Sequence, residues 1–191
     1  MTGPELLTSL GKTFGSKLQE KIEFRGETTF VIAPGDLREV AQFCKKELSF
    51  DYLLDITSVD HFGNEPRFEV VYELYSMSFA LHLRLKVRVS EDAPAVDTVS
   101  DLWPTADWHE REIYDMMGIR FRGHPDLRRI LMWEGYPYFP LRKDFPLAGK
   151  ATELPDVAFT KPAPLEGGPF VTVAGGKDAI EREPRVRTPE D

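Results

Sequence analysis

The sequence predicts an α+β fold: a mainly antiparallel sheet of four to five strands with helices packed on one face, continued by an extended C-terminal arm. Three observations carry this. Leu81, Leu83, Leu85, Val87 and Val89 alternate with His82, Arg84, Lys86 and Arg88, the pattern of a strand with one core face and one wet face, as in an antiparallel sheet. Two further strand segments, 52–59 and 68–76, lie directly upstream, joined by a His61-Phe62-Gly63-Asn64 loop. Beyond Leu147 periodicity ends, and residues 148–191 hold six prolines and five glycines. Such a segment is extended or disordered alone, so order along it would imply a partner surface. The chain of 191 residues therefore divides into an α+β globular domain over 1–107, a motif segment over 108–147 and a Pro/Gly-rich tail over 148–191.

Taken in order, Leu6, Leu7, Leu10 and Phe14 stand at helical spacing before Gly15. Residues 18–33 read as a hairpin about Arg25-Gly26, with Thr28–Ala33 its better strand. Asp36 then caps a helix with Glu39 three positions on, and Leu37, Val40, Ala41, Cys44 and Leu48 form the inward stripe. Cys44 reads as core filler. Residues 95–103 suggest a short helix ending at Trp103-Pro104. His82 falls on the wet face of its strand, as an exposed or rim histidine.

The motif segment opens with a third helix. Thr105 and Asp107 are both good N-cap types, Asp107 has Glu110 three residues on, and Gly118 is a natural left-handed stop. His109, Ile113, Met116 and Met117 share one helical face; Arg111, Glu112 and Asp115 share the other, with Trp108 among them. Arg111 and Asp115 can pair at i,i+4, and Glu110 lies at the edge of the apolar face. Ile119–Arg122 reads as a brief strand, Gly123-His124-Pro125-Asp126 as a turn, and Leu127, Ile130 and Leu131 as one helical turn. From Trp133 to Leu147, five aromatics (Trp133, Tyr136, Tyr138, Phe139, Phe145) alternate with Pro137, Pro140 and Pro146, which exclude a long helix or central strand. At about 2 kcal/mol per large apolar side chain, leaving all five in water would cost on the order of 10 kcal/mol. They are expected to be covered by the domain's own sheet or by a second protein. With Arg142, Lys143 and Asp144 among them, they have the aromatic and arginine content of an interface core.

Charge and composition exclude several function classes. The net charge of −8 is unevenly spread: Lys+Arg against Asp+Glu runs 7 to 7 over 1–50, 4 to 11 over 51–107, 8 to 6 over 108–150 and 5 to 8 over 151–191. Residues 108–150 carry the one positive excess, far short of the basic stripe of a nucleic-acid binder. The single cysteine and four histidines cannot make an Fe-S or zinc cage and fit a reducing compartment. His109-Glu110-Arg111-Glu112-Ile113 begins like a zinc-protease motif, but Ile113 stands where the second ligand belongs. Neither GxGxxG after a strand nor GxxxxGK[ST] occurs. Glu110 and Glu112 project about 200° apart on a helix, so they cannot bracket one bond as an acid/base pair. The start MTGPELLTSL has neither a basic nor an apolar signal region, and no apolar run approaches the roughly 20 residues of a spanning helix. Membrane association is therefore expected only through partners.

The run HEREIYDMMGIRFRGHPDLRRILM followed by PLRKDFPL closely resembles the C-subunit family of the proton-pumping NADH:quinone oxidoreductase, respiratory complex I. Two departures are visible: Met117 stands where the family usually has Phe, and Trp133–Pro140 is longer than the usual link into PLRKDFPL. The resemblance implies a non-catalytic structural subunit of the peripheral arm, on the cytoplasmic side of the cell inner membrane. It would clamp the quinone-site subunit and the terminal Fe-S cluster subunit while electrons pass from NADH through FMN and Fe-S clusters to quinone. It further implies that this chain binds none of those groups and has no activity alone. The interface is expected at Glu110, Arg111, Glu112, Asp115, His124, Arg128, Arg129, Arg142, Lys143, Asp144 and Phe145, with Glu112, Arg128, Arg142 and Asp144 in partly buried charged contacts. The nearest alternative is the equivalent subunit of a membrane-bound hydrogenase or of a dehydrogenase fed by another donor. A small acid/base enzyme and a nucleic-acid module are the alternatives from other classes.

Overall fold

The computed structural model describes residues 3–146; the expected arm over 148–191 lies outside the described residues. The chain divides into two units, one ending at Lys143 and one beginning at Asp144, and the architecture below is that of the first. Its elements are α1 (Gly3–Phe14), β1 (Leu18–Phe24), β2 (Glu27–Ile32), α2 (Leu37–Lys46), β3 (Tyr52–Asp60), β4 (Phe68–Ser76), β5 (Leu81–Val89), β6 (Ala95–Asp97), α3 (Ala106–Met117) and β7 (Arg120–Arg122).

Five strands form one sheet in the order β1-β2-β5-β4-β3, and β6 and β7 form a separate parallel pair. The β1–β2 hairpin turns through Arg25 and Gly26, both at positive φ (51° and 82°), the geometry whose twist matches that of the flanking strands. β1–β2, β3–β4 and β4–β5 are antiparallel; β2–β5 alone in this sheet is parallel. The registers align Ile56, Tyr72, Leu85 and Phe30 in one row across four strands. All four are buried. The helices supply the facing layer, with Leu6, Leu10 and Phe14 from α1, Leu37, Val40, Ala41 and Cys44 from α2, and Ile113, Met116 and Met117 from α3 in the same core. Burial pushes the Cys44 thiol well above its usual range, so it is inert filler.

On the other face the β5 cations answer the carboxylates of β4. Arg84 pairs with Glu73, Lys86 lies 2.7 Å from Glu69, and Arg88 lies 3.6 Å from Glu69. Each pair stands directly across or diagonally across the ladder, the positions where opposite charges support pairing.

The fold matches the expected class, and three local expectations are corrected. Residues 95–103 form no helix: Ala95–Asp97 pairs with Arg120–Arg122 as β6, and the amide of Val99 is claimed by the Glu110 carboxylate. Leu127–Leu131 is likewise not helical, because the amides that follow are drawn to one carboxylate described below. Asp36 does stand at the N-cap of α2 but makes no side-chain cap; its carboxylate turns to Lys17, 3.5 Å away.

Candidate functional site

Helix α3 begins after Thr105, which makes no side-chain cap, and ends at Gly118 in the left-handed region (φ 76°), whose amide donates to the Tyr114 carbonyl. The capping role foreseen for Glu110 is replaced by a cross-link. Its Oε1 accepts the Val99 amide at 2.8 Å and its Oε2 meets the Thr98 hydroxyl at 2.5 Å. Glu110 is wholly buried rather than at an edge.

Asp115 organises the chain that follows. Its Oδ2 accepts three successive amides, Ile130 at 3.1 Å, Leu131 at 2.7 Å and Met132 at 2.8 Å. Its Oδ1 accepts from Arg129 at 2.5 Å. Three donors converging on one oxygen cannot keep helical spacing, which is why this stretch is irregular. Burial pushes the Asp115 carboxyl up, but the amides and the Arg129 guanidinium outweigh it and hold the group below its ordinary value. The expected Arg111–Asp115 pair is not formed. Arg111 instead lies over the Trp108 ring, 5.2 Å from its centroid, and donates to the Arg128 carbonyl at 3.3 Å.

Arg129 continues the wiring outward. Its other nitrogen donates to the carbonyls of Tyr136 (2.6 Å) and Tyr138 (3.1 Å), and its guanidinium lies over the rings of Tyr136 and Phe139. Further on, Arg142 donates to the Met117 carbonyl at 2.7 Å and stacks on Phe139 and Phe68. Gly118 is where this stack passes closest: an added Cβ would lie 2.7 Å from Phe139 and from the Arg142 guanidinium. The last tie is the Lys143 amide, which donates to Asp60 Oδ2 at 2.8 Å. Asp60 is held in turn by a two-pronged bond from Arg67, both contacts 2.9 Å, with both side chains buried. The Arg67 bonds hold the Asp60 carboxyl below its ordinary value against the opposing effect of burial, helped by the Lys143 amide.

His124 also turns inward. Its side chain is fully buried, with Nε2 3.0 Å from Asp107 Oδ1, and Nδ1 accepts the Asp126 amide at 3.0 Å.

Of the sequence-derived site residues, Glu110, Arg111, Asp115, His124, Arg129 and Arg142 build the segment from within, as does the backbone of Lys143. Glu112 and Arg128 face outward, and Arg128 pairs with Asp126 at 2.8 Å. Asp144 and Phe145 open the second unit. Of the five aromatics expected to need cover, Tyr136 is buried by this chain itself, whereas Trp133 stays 46% exposed. Trp108 and Leu131 are each 62% exposed and Leu141 57%. Sequence reasoning missed Asp60, Arg67 and Thr98, which lie far from the motif in the chain. The pairing of an aspartate with an arginine seven residues on, across a β-hairpin, was the available signal for the first two.

A profile of the family described as respiratory-chain NADH dehydrogenase, 30 Kd subunit, matches residues 30–151. The chain belongs to this family. The second C-type subunit of NADH-quinone oxidoreductase from Rhizobium meliloti (strain 1021) is 46% identical over 170 residues, covering 87% of this chain and 93% of the relative. The C-type subunit of NADH-quinone oxidoreductase from Geotalea uraniireducens (strain Rf4) is also 46% identical, over 75% of this chain and 88% of its own. Among solved structures, the trypsin-resistant fragment (1-134) of Nqo5 is 32% identical with a TM-score of 0.58, spanning 64% of this chain and 98% of the fragment. A chain of the membrane-bound sulfane sulfur reductase, an archaeal respiratory membrane complex, is 25% identical with a TM-score of 0.66, over 76% of this chain and 86% of that one. The family's profile thus runs from β2 through the whole Asp115- and Arg142-wired segment.

Proposed function

We propose that this chain is a structural subunit of the NADH:quinone oxidoreductase peripheral arm, and that its wired segment is the rigid plate on which neighbouring subunits seat. In this reading the neighbours are the quinone-site subunit and the terminal Fe-S cluster subunit. NADH, FMN, the clusters and quinone are handled by other chains, in keeping with a sequence that has one cysteine. The isolated chain performs no turnover, and it reaches the cytoplasmic face of the inner membrane through its partners. Among the described residues no helix is long and apolar enough to cross a membrane.

The observation that carries this reading is Trp108. Its indole is 62% exposed on a helix whose other apolar residues are largely buried, and Arg111, itself tied to the Arg128 carbonyl, lies against it. A large ring held still before a partner arrives loses little entropy on docking, which is the character of an interface anchor. Leu131, Trp133 and Leu141 are further exposed apolar side chains of the same segment.

The test replaces Trp108 with Glu and Leu131 with Asp, separately, in cells that assemble the complex. Each isolated variant keeps the melting temperature of the parent chain, since neither side chain is buried. Each lowers the yield of intact complex and its NADH:quinone activity, a central anchor being worth about 2 kcal/mol or more, or roughly 30-fold in affinity. Full assembly of both variants would refute the docking plate. The likeness to a sulfane sulfur reductase chain favours one second reading, the same plate in a respiratory assembly with another electron donor. A tagged pull-down in mild detergent separates the two by which electron-input subunits accompany the chain.

A further inference from the structure

We propose, resting on the docking-plate role above, that the free edge of β3 receives an extended segment of a neighbouring subunit as a sixth strand, one carrying lysine or arginine among β-branched residues. β3 ends the sheet order β1-β2-β5-β4-β3, so it has a ladder on one side and none on the other. Among the described residues, β4 is its only backbone partner.

The register shows which groups face the open side. In an antiparallel ladder, directly opposed residues alternate between pairs that exchange amide hydrogen bonds and pairs that do not. The His61 amide donates to the Arg67 carbonyl at 2.8 Å, one step beyond the opposed pair Asp60 and Phe68. Counting back by twos, Val59, Thr57 and Asp55 turn their amides and carbonyls toward β4. Ser58 and Ile56 therefore turn theirs away from it. The one irregularity of this ladder lies between Leu53 and Asp55. The run from Asp55 to Asp60 is thus unbroken and offers a regular row of backbone donors and acceptors with no strand opposite.

The two edges of the sheet are not alike. β1 carries Glu20, Lys21 and Glu23 along an exposed strand, the charged pattern with which natural sheets blunt an edge. β3 has neither lysine nor arginine. Its Leu54 is 40% exposed, its Val59 37%, and Thr57 is exposed as well. Free backbone groups flanked by apolar and β-branched side chains are what binds a peptide by strand addition.

Charge and position identify the occupant. Residues 51–65 hold four carboxylates, Asp51, Asp55, Asp60 and Glu65, and no lysine or arginine; Arg67 answers that of Asp60. A cationic segment complements this stretch, whereas a second copy of the chain would bring the same carboxylates to it. Asp55 Oδ1 lies 3.1 Å from Nδ1 of His109, the residue after Trp108, so the edge is continuous with the helix that presents the indole. A neighbour that covers Trp108 therefore also reaches β3.

The test compares amide exchange, residue by residue, in the full chain alone and in the purified complex. In the free chain the amides of Thr57 and Val59 are protected by β4 and those of Ile56 and Ser58 are not. In the complex, Ile56 and Ser58 are expected to slow by about tenfold or more as they gain partners. Ser58→Pro removes one outward amide and leaves the β4 ladder whole, as prolines on edge strands do. The isolated variant is expected to keep its fold while the yield of intact complex falls. Should it not fold, Val59→Lys decides, since it sets a cation against the cationic strand and lowers assembly in a way that added salt relieves. An intact complex in which Ile56 and Ser58 exchange as fast as in the free chain, or full assembly of both variants, would overturn the sixth strand and leave the Trp108 plate standing. Full assembly of Trp108→Glu and Leu131→Asp would overturn the plate instead. Self-association of the isolated chain that Ser58→Pro abolishes would put a second copy in the neighbour's place and overturn the occupant.

Discussion

Asp115→Asn is the sharpest perturbation the structure offers. One carboxylate satisfies the amides of residues 130, 131 and 132 and the Arg129 guanidinium, and the residue is wholly buried. The amide side chain has nearly the same shape, but one acceptor oxygen becomes an NH2 donor. In either orientation a donor faces donors, on the Arg129 side or on the three-amide side, and the Arg129 charge loses its counter-ion. Removing one partner of a buried pair costs about 3–5 kcal/mol, chiefly by stranding the other. Against a domain stability of about 5–15 kcal/mol this is a fifth or more of the total. For a chain of this length it corresponds to a fall in Tm on the order of 10 °C. Hydrogen exchange resolves it residue by residue, since residues 130–132 should lose protection while the row Ile56–Tyr72–Leu85–Phe30 keeps its own. The pH dependence has a definite sign as well. A carboxyl held below its ordinary value stabilises above the unfolded value near 3.9 and loses that contribution as pH falls through the folded value, so the parent and Asp115→Asn converge in acid. Unchanged stability near pH 7, or undiminished protection at 130–132, would show that Asp115 does not organise the segment.

Two further perturbations bear on the latch at the segment's end. Gly118→Ala places a Cβ 2.7 Å from Phe139 and Arg142 in a backbone at φ 76°; the left-handed conformation alone costs about 1–2 kcal/mol, and the crowding adds to it, so thermal melts should show a loss above about 1 kcal/mol. Asp60→Asn turns one of the two acceptor oxygens into a donor, so at least one of the paired Arg67 contacts is lost and the buried Arg67 charge loses this counter-ion; it is expected to cost about 3–5 kcal/mol. Its effect fades as pH falls through the folded-state value of Asp60, itself held low by Arg67, and denaturant titrations at neutral and at strongly acid pH would read the difference.

How far the sequence carried can be argued from particular residues. Alternation over Leu81–Val89 specified a strand because period-two burial has no other cause, and Arg25-Gly26 announced its turn through two residues in left-handed conformation. The segment 95–103 misled because its composition tolerates a helix, while the decisive events, pairing with residues 120–122 and capture of the Val99 amide, depend on chain well downstream. The same limit governed the site. Helical spacing correctly placed Arg111 and Asp115 on one face, but i,i+4 proximity could not foresee that Asp115 would be saturated by amides from the returning chain. Arg142 was legible as important from its aromatic setting. That much of its stacking would be spent on this chain's own Phe68 and Phe139 was not, because Phe68 lies on a strand of the sheet. Short-range rules report local preference; the buried carboxylates of this fold act over long separations.

The Lys143–Asp60 tie spans 83 residues of sequence, and that separation is also a delay. At synthesis rates of about 5–20 residues per second, Lys143 is made roughly 4–17 s after Asp60, long compared with the microseconds a β-hairpin takes to form. During that interval the β3–β4 hairpin stands with its Asp60–Arg67 pair made and the Lys143 amide still missing. Until that last strap arrives, the end of the hairpin is closed by the Asp60–Arg67 pair and the backbone bonds across the loop, among them the His61 amide to the Arg67 carbonyl at 2.8 Å.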